Sequence, residues 1–341
     1  MLPFTLPLDV DEDQRMPSSA LCLLMTAVDT VGKHLDWPTV DFITDRTNLR
    51  NLVKWIGGDT KQRNDFRIDM ELVGDHTVLF DMSHTGWNGG GRTNYGHSFE
   101  RGTTVPAPGC ERSSGHYRII KYDFFGFTMV VRFEVDACLS PGKGAAELHI
   151  LEDSLSTPIV SPGVTICQGL RIIRAGSEVS QESLVELKTC REIRNCVQWS
   201  QVFPQLYLSG TPWLHAGFHE NGTFSRVETR NMVEMQEQRS NFEPRLQQLG
   251  QTLKTIQELA VTHGKNTRLS LVLQDRRLSV YKRASKESFL SKEPTNPTFE
   301  TIKLIFQRAE LVFQYANPSF QRANPGFQRA NPTYQSANST Y

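Results

Sequence analysis

The segment Phe127–Cys138 constrains the fold of this chain more than any other part of its sequence. Apolar residues occupy its alternate positions: Phe127, Met129, Val131, Phe133 and Val135. This alternation predicts a β-strand with one face in a core, and it places Glu134 and Asp136 together on the other face. Two carboxylates on one strand face offer oxygen ligands to a hard cation such as Mg²⁺.

A second segment, Val185–Lys188, repeats this pattern. Its odd-numbered positions are apolar and predict a buried face, while Glu186 and Lys188 share the opposite face. A lysine beside a carboxylate can hold an attacking water and neutralise charge on a phosphate. Either pair alone is more typical of a solvated strand face, but two such strands in order are suited to metal-assisted phosphodiester hydrolysis.

Charge and composition exclude several classes of protein. Lysine plus arginine and aspartate plus glutamate both total 37, so the formal net charge is zero, which excludes a protein that coats nucleic acid along its whole surface. The six cysteines include no CxxC pair, which argues against a structural zinc site. The longest apolar run, Ala20–Val28, is about half of the ~20 residues that a membrane span needs, and residues 1–10 lack the basic start of a signal peptide. We therefore expect an intracellular protein that is neither secreted nor in a membrane.

The order of the predicted elements indicates a mixed α/β fold. The spacing of apolar residues predicts helices over Ser18–Leu35, Asp45–Trp55 and Phe242–Ala260, the second with Thr44 or Asp45 as its N-cap. Strand character is predicted for Thr39–Ile43, Arg67–Phe80, Tyr117–Phe124, Leu184–Thr189, Trp213–His219, Leu269–Leu273 and Leu278–Lys282. Arg46, Arg50 and Lys54 recur once per turn on the second helix and form a basic stripe, which by itself is most typical of a solvated face.

The chain divides into three regions. We expect a flexible segment over 1–15, a catalytic domain over 16–290 with an insertion near 139–178, and a terminal region over 291–341 with a helix and a repeat tail. The tail contains the units ANPSFQR, ANPGFQR and ANPTYQS in succession. A proline in each unit prevents a continuous helix, and units this short cannot bury a core, so the tail is expected to be disordered.

The order of five motifs resembles that of the decapping exoribonuclease (DXO-like) family, whose core is related to the PD-(D/E)XK nucleases. FITDRTNL is similar to the family's N-terminal arginine motif and supplies Arg46, and GHSFE is similar to its glycine-led motif and supplies Glu100. FEVD, VELKT and PQLYLSGTP are similar to the other three motifs and supply Glu134 with Asp136, Glu186 with Lys188, and Gln205. Uncharacterised fungal-type proteins have similar blocks.

The resemblance implies a PD-(D/E)XK-like core with mixed β-sheets flanked by helices, and one or two Mg²⁺ or Mn²⁺ ions as cofactors. Catalysis would rest on Glu134, Asp136, Glu186 and Lys188, with Lys188 orienting the nucleophilic water. The implied metal ligands are Glu100, Glu134, Asp136, Glu186 and the carbonyl of Leu187. Arg46 and Gln205 would contact the RNA backbone, and Arg50 of the basic stripe would help to lead the phosphate chain into the site.

The leading interpretation is a metal-dependent hydrolase that removes pyrophosphate or an incomplete cap from RNA 5′ ends, with 5′–3′ degradation of the monophosphate product as a second activity to test. Two alternatives stay open: a nuclease of the same fold that acts on DNA or structured RNA, and a non-catalytic scaffold that binds RNA ends or a protein. The resemblance implies the RNA 5′ end as partner and a nuclear location ahead of a cytoplasmic one. It also allows an exonuclease as protein partner and leaves the oligomeric state open.

Overall fold

The computed structural model covers most of the expected catalytic domain. The residues it describes are 2–8, 20–31, 35–58, 65–82, 94–107, 113, 115–139, 164–167, 170–174, 179–194, 197–285, 288–290, 304–306 and 312–313. The helices are α1 (Ala20–Val31), α2 (Arg46–Ile56), α3 (Gly96–Thr103), α4 (Trp199–Ser209) and α5 (Gln236–His263). Short 3₁₀ turns lie at Trp37–Thr39, Gln181–Ser183, Glu192–Arg194 and Met232–Glu234. No helix within these ranges combines the length and the apolar character needed to span a membrane.

The strands form three sheets. In chain order they are β1 (Phe4–Thr5), β2 (Phe42–Asp45), β3 (Phe66–Val73), β4 (Thr77–Met82), β5 (Tyr117–Phe124), β6 (Phe127–Glu134), β7 (Ala137–Cys138), β8 (Val164–Cys167), β9 (Leu170–Arg174), β10 (Leu184–Arg191), β11 (Trp213–Glu220), β12 (Thr223–Asn231), β13 (Leu269–Gln274), β14 (Arg277–Lys282), β15 (Leu304–Phe306) and β16 (Val312–Phe313). The sheet orders are β14-β13-β3-β4-β2-β6-β5-β16, β1-β12-β11-β10-β7 and β15-β9-β8. Strand β2 is parallel to β4 and β6, and β10 is parallel to β11, so both larger sheets are mixed. The expected mixed α/β fold with helices against mixed sheets is confirmed.

Three helices join the two larger sheets into one core. Phe42 and Val131 from the eight-stranded sheet lie in the same buried cluster as Leu214 and Phe218 from the five-stranded sheet. Helices α2, α4 and α5 contact one another and add the leucines Leu49, Leu52, Leu206, Leu246, Leu249 and Leu253 to this cluster. Burying a leucine side chain contributes about 2 kcal/mol. This shared core therefore sets the position of one sheet relative to the other.

Helix α1 covers the opposite face of the eight-stranded sheet. Successive side chains of a strand point to opposite faces, so Phe42 enters the main core while Ile43 packs with α1. Phe289, from the segment after β14, belongs to the same cluster as α1. The carboxylate of Glu71 holds it there, because it accepts hydrogen bonds from the backbone N–H of Phe289 (2.8 Å) and from the hydroxyl of Ser288 (2.7 Å).

The N-terminus of α2 differs from the predicted capping. Asp45 occupies the N-cap position, but its side chain makes no capping hydrogen bond. Its carboxylate instead accepts two hydrogen bonds from the guanidinium of Arg132 on β6, at 2.7 and 2.9 Å. The charge-assisted pair with arginine uses the oxygens that would otherwise cap the helix.

Two predictions about strand extent and flexibility are corrected by the structure. Phe127–Cys138 is not one strand, because β6 ends at Glu134 and Ala137–Cys138 pairs with β10 in the other sheet. Phe4–Thr5, in the segment expected to be flexible, pairs with β12. The segment 67–80 resolves into β3 and β4 around a turn at Gly74, which has a φ of +61°.

Other expectations fall partly or wholly outside the described residues. In the terminal region 291–341, where we expect a helix, the described residues are the two short strands β15 and β16. The repeat units at 316–341 lie outside the described residues. The expected insertion near 139–178 contains the antiparallel pair β8 and β9, and most of its other residues are also outside. Strand β12 was not predicted, because its sequence, TFSRVETRN, is mostly polar.

Three aspartates lie close together on the face of the eight-stranded sheet that α1 partly covers. Asp69 of β3 is directly opposite Asp81 of β4. Asp69 and Asp45 have arginine partners, since Arg67 lies 2.6 Å from Asp69 and Arg132 lies 2.7 Å from Asp45. Burial, followed by the charges of Asp45 and Asp69, raises the pKa of Asp81 to about 6.

We expect Asp81→Asn to stabilise the protein at pH 7.5 by about 1 kcal/mol. Because the folded-state pKa of Asp81 lies above the unfolded value of 3.8, its contribution to stability is complete below that value and is lost as the pH rises through about 6. Asparagine does not ionise, so the variant avoids this loss. Urea unfolding at pH 7.5 and pH 4.0 measures the effect, with the exposed Asp75→Asn as control. An equal gain at both pH values would contradict an electrostatic origin.

Candidate active site

The break between β6 and β7 brings two acidic residues to the junction of the two larger sheets. Strand β6 ends at Glu134, and the backbone N–H of Val135 still donates to the carbonyl of His116 (2.8 Å). Two residues later, Ala137 is already paired with β10. Asp136 therefore lies between the two sheets. The prediction that it shares one strand face with Glu134 is wrong, because β6 ends at Glu134.

Strand β10 supplies the other acidic residue and the lysine. Glu186 is 1% exposed, and Lys188 lies on the same face of the strand. The Nζ of Lys188 donates to the carboxylate of Glu186 and lies 3.7 Å from Oδ2 of Asp136. The backbone N–H of Leu187 donates to that same oxygen at 2.8 Å. Direct bonds thus connect the β6–β7 crossing to β10.

The buried carboxylate of Glu186 accepts hydrogen bonds from three side chains. Its Oε2 accepts from Nη1 of Arg46 (3.1 Å), and its Oε1 accepts from Nζ of Lys188 and Nε2 of Gln205. Burial by itself would raise the pKa of Glu186, but the charges of Lys188 and Arg46 outweigh it and lower the pKa to about 2. Glu186 is therefore a carboxylate throughout the physiological pH range.

Arg46 connects three elements around Glu186. It is the first residue of α2 and is 6% exposed. Its Nη2 donates to the backbone carbonyl of Glu134 (3.3 Å), and its Nη1 also donates to the hydroxyl of Ser209 at the end of α4 (3.2 Å). One guanidinium thus ties together the end of β6, the middle of β10 and the end of α4.

Arg46 and Gln205, for which the motif resemblance implies contact with the RNA backbone, both lie beside Glu186. Both side chains are buried and donate to Glu186 rather than facing open solvent. Two further residues of this network were not found from the sequence. Ser209 donates to the carbonyl of Gln205 (2.7 Å), and Gln181 donates to the carbonyl of Ser209 (2.9 Å). Ser209 could have been found from the sequence, because it lies one helical turn after Gln205. The sequence contains no comparable signal for Gln181.

Glu100 approaches the site from α3. The ring of Phe99 lies against Gly217 of β11 so closely that a Cβ at this glycine would be 2.5 Å from it. Burial, followed by the charge of Glu134, raises the pKa of Glu100. Glu186 raises the same pKa further and Lys188 lowers it, so Glu100 lies within electrostatic reach of the residues from both sheets.

Negative charge around Asp136 is not fully compensated. Burial, followed by the charge of Glu186, raises the pKa of Asp136 to about 8, although Lys188 and the N–H of Leu187 lower it. Burial and the charge of Glu186 thus favour the protonated form of Asp136, and a further positive charge nearby would favour its ionised form. A bound divalent cation would supply the missing positive charge.

The chemistry of the donors fits Mg²⁺ or Mn²⁺, because carboxylate and carbonyl oxygens are the ligands that these ions prefer. Within the described ranges, no three His, Cys, Asp or Glu side chains are already grouped as a metal site. The carboxylate of Glu186 is held by Lys188, Arg46 and Gln205.

Arg50 lies one turn after Arg46 on the same helix and differs from it in having an unsatisfied group. Its Nε is buried and has no hydrogen-bond partner in the part of the chain that the structure describes. Burial, followed by the charge of Arg46, lowers the pKa of Arg50 to about 10, while Glu186 and Asp136 act in the opposite direction. Arg50 is therefore a partly buried cation near Glu186 and Asp136, and its buried Nε is an unsatisfied donor.

Comparisons with known proteins identify the family and the fold. A family model described as a domain of unknown function (DUF8563) matches residues 8–293. No curated protein sequence matches significantly. Among solved structures, Rai1 of S. pombe in complex with 3′-FADP is 14% identical, with a TM-score of 0.50 and coverage of 83% of this chain and 86% of that one.

Two further Rai1 structures match equally well. Rai1 of Candida albicans in complex with pU5-Mn²⁺ is 14% identical, with a TM-score of 0.50 and coverage of 78% of this chain and 74% of that one. Rai1 of Scheffersomyces stipitis with (3′-NADP)⁺ and calcium is 14% identical, with a TM-score of 0.51 and coverage of 77% and 72%. Rai1 is a member of the decapping exoribonuclease family that the motif order resembles, so the fold expected from that resemblance is confirmed. This chain therefore belongs to the DUF8563 family, and its folded domain has the fold of the Rai1 proteins.

Proposed function

We propose that this protein is a divalent-cation-dependent hydrolase that removes pyrophosphate or an incomplete cap from RNA 5′ ends. The observation that carries the proposal is the meeting of Asp136, Glu186 and Lys188 at the junction of two sheets, with Glu134 beside them. The C. albicans Rai1 structure contains pU5 and Mn²⁺, which supports both the RNA substrate and the ion. A net charge of zero favours recognition of an RNA end over a grip on a long strand.

The acidic residues of the candidate site would hold the ion. The proposed ligands are Glu100, Glu134, Asp136, Glu186 and the carbonyl of Leu187, and we propose one or two Mg²⁺ or Mn²⁺ ions. Such an ion lowers the pKa of a bound water and offsets negative charge on a phosphate. Lys188, held by Glu186 and close to Asp136, would orient the nucleophilic water and donate to a phosphate oxygen.

The two arginines of α2 would have different roles. Arg46, together with Gln205, would position Glu186, because the donors of both side chains go to its carboxylate. Arg50 would bind a phosphate of the RNA, because it is a partly buried cation near Glu186 and Asp136 and an anion would offset the cost of desolvating its charge. Degradation of the 5′-monophosphate product would use the same residues.

Activity on defined RNA ends tests the proposal. Wild-type protein with Mn²⁺ or Mg²⁺ should release product from triphosphate-ended, capped or monophosphate-ended RNA, and Glu134→Gln should lose at least about a hundredfold in rate because a proposed metal ligand is weakened. Glu228→Gln is a matched control that should keep the activity, because the partners of Glu228 are Arg226 and Arg230 of its own strand, β12.

Four outcomes are decisive. No product from any RNA would contradict the hydrolase proposal, and end binding without turnover would favour the scaffold alternative. Equal activity in Glu134→Gln and wild type would show that any turnover comes from elsewhere. Faster cleavage of DNA competitors than of RNA would favour a DNA nuclease.

The different roles of Arg46 and Arg50 predict different stability effects of their substitution. Arg46→Met leaves a buried carboxylate without one of its charged partners, so it should cost about 3 kcal/mol in urea unfolding. Part of this cost should be recovered in the double variant Arg46→Met with Glu186→Gln. Arg50→Met removes a poorly satisfied cation, so its stability should stay within about 1 kcal/mol of wild type.

Substitution of Arg50 should affect RNA binding instead. Arg50→Met is expected to raise the KM for 5′-phosphorylated RNA about tenfold with little change in fold stability. If Arg46→Met is as stable as wild type, Arg46 does not position Glu186. If Arg50→Met has an unchanged KM, Arg50 does not contact the substrate.

A further inference from the structure

Helix α3 depends on its neighbours for its position. It has 8 residues, and a helix shorter than about 12 residues is marginal by itself in water. The segments 83–93 and 108–112, which lie before and after the region of α3, are outside the described residues. Glu100 is the one proposed carboxylate ligand carried by a helix, so its placement depends on whatever packs against α3.

An aromatic stack holds the residue next to Glu100. The ring centroid of Phe99 lies 4.7 Å from that of Phe224 on β12 and 6.5 Å from that of Phe4 on β1, with interplanar angles of 26° and 13°. Phe4 and Phe224 stack on each other at 5.3 Å. Such pairs contribute about 1 kcal/mol each beyond the burial of their area. Movement of the Phe99 ring would move the adjacent carboxylate of Glu100.

The same N-terminal segment also contacts the last turn of α3. The Cδ2 of Leu6 is 2.9 Å from the position that a Cβ would take at Gly102, so Leu6 lies directly on the helix. The segment is anchored on β12, because β1 pairs with this strand and the N–H of Leu6 donates to the carbonyl of Gly222 (2.9 Å). Helix α3 therefore packs on the five-stranded sheet, with Phe4 of its edge strand β1 and the adjacent Leu6 among its contacts.

We infer that the segment Phe4–Leu6 clamps α3 and thereby positions Glu100 for the divalent ion. The ion part of this inference rests on the proposed function, whereas the clamping of the helix does not. The family model begins at residue 8, so the clamp lies outside the matched region. Phe4 and Leu6 are positioning residues, since they act on Glu100 through their contacts with α3. Loss of their contacts raises the freedom of α3 and weakens the site without removing any ligand.

Hydrogen exchange of the α3 backbone tests the clamp directly. In Phe4→Ala, protection of residues 99–103 should fall about tenfold, and Leu6→Ala should show a fall in the same residues. Phe4→Leu, which keeps an apolar side chain, should restore part of the protection. The matched control is Phe289→Ala, which removes a phenylalanine from the cluster beneath α1 and should leave α3 exchange unchanged.

Mn²⁺ titration by calorimetry gives the second readout. The Kd should rise about tenfold in Phe4→Ala and stay at the wild-type value in Phe289→Ala. Unchanged α3 exchange in both Phe4→Ala and Leu6→Ala would overturn the clamp, and faster exchange with an unchanged Kd would overturn the positioning of Glu100. If the wild-type protein binds no Mn²⁺, the proposed function fails, and faster α3 exchange in the two variants would still support the clamp.

Discussion

The burial of one carboxylate, that of Glu186, organises the functional part of this protein. A charged group that is 1% exposed is costly unless hydrogen bonds and opposite charges surround it. Here the compensation comes from Lys188 on the same strand, Arg46 on α2 and Gln205 on α4. These donors come from different elements, so satisfying Glu186 fixes two helices relative to β10. The geometry of the site and the packing of the domain therefore depend on the same contacts.

The second constraint is the passage of the chain from one sheet to the other. Strand β6 belongs to the eight-stranded sheet, and three residues after it ends the chain pairs with β10 in the five-stranded sheet. Asp136 lies in this passage and is bound by the N–H of Leu187. Because the shared core of α2, α4 and α5 holds both sheets, the passage has a defined geometry. Opposing charges are thereby concentrated where the two sheets meet.

Much of the architecture could be predicted because it follows from local patterns. The bounds of α2, β5, β13 and β14 were predicted to within one residue at each end, whereas α5 was recognised as a helix but extends beyond the predicted 242–260 at both ends. Strand β12 was missed, because an outer strand with a polar face lacks the apolar alternation on which strand prediction depends. The single strand over 127–138 was also wrong, since alternation continues through Val135 although the backbone leaves the sheet there.

The sequence by itself determined which chemical groups were available: the acidic residues of FEVD and VELKT, the lysine, the basic stripe and the order in which they occur. Periodicity could also say which of them lie opposite an apolar face. Only the tertiary structure decided how each group is used. Arg46 and Arg50 look alike in the sequence, one helical turn apart, yet the first is bonded to Glu186 and Ser209 while the second has an unsatisfied Nε. The physical reason is that hydrogen bonding and desolvation depend on neighbours from distant parts of the chain, which local spacing does not specify.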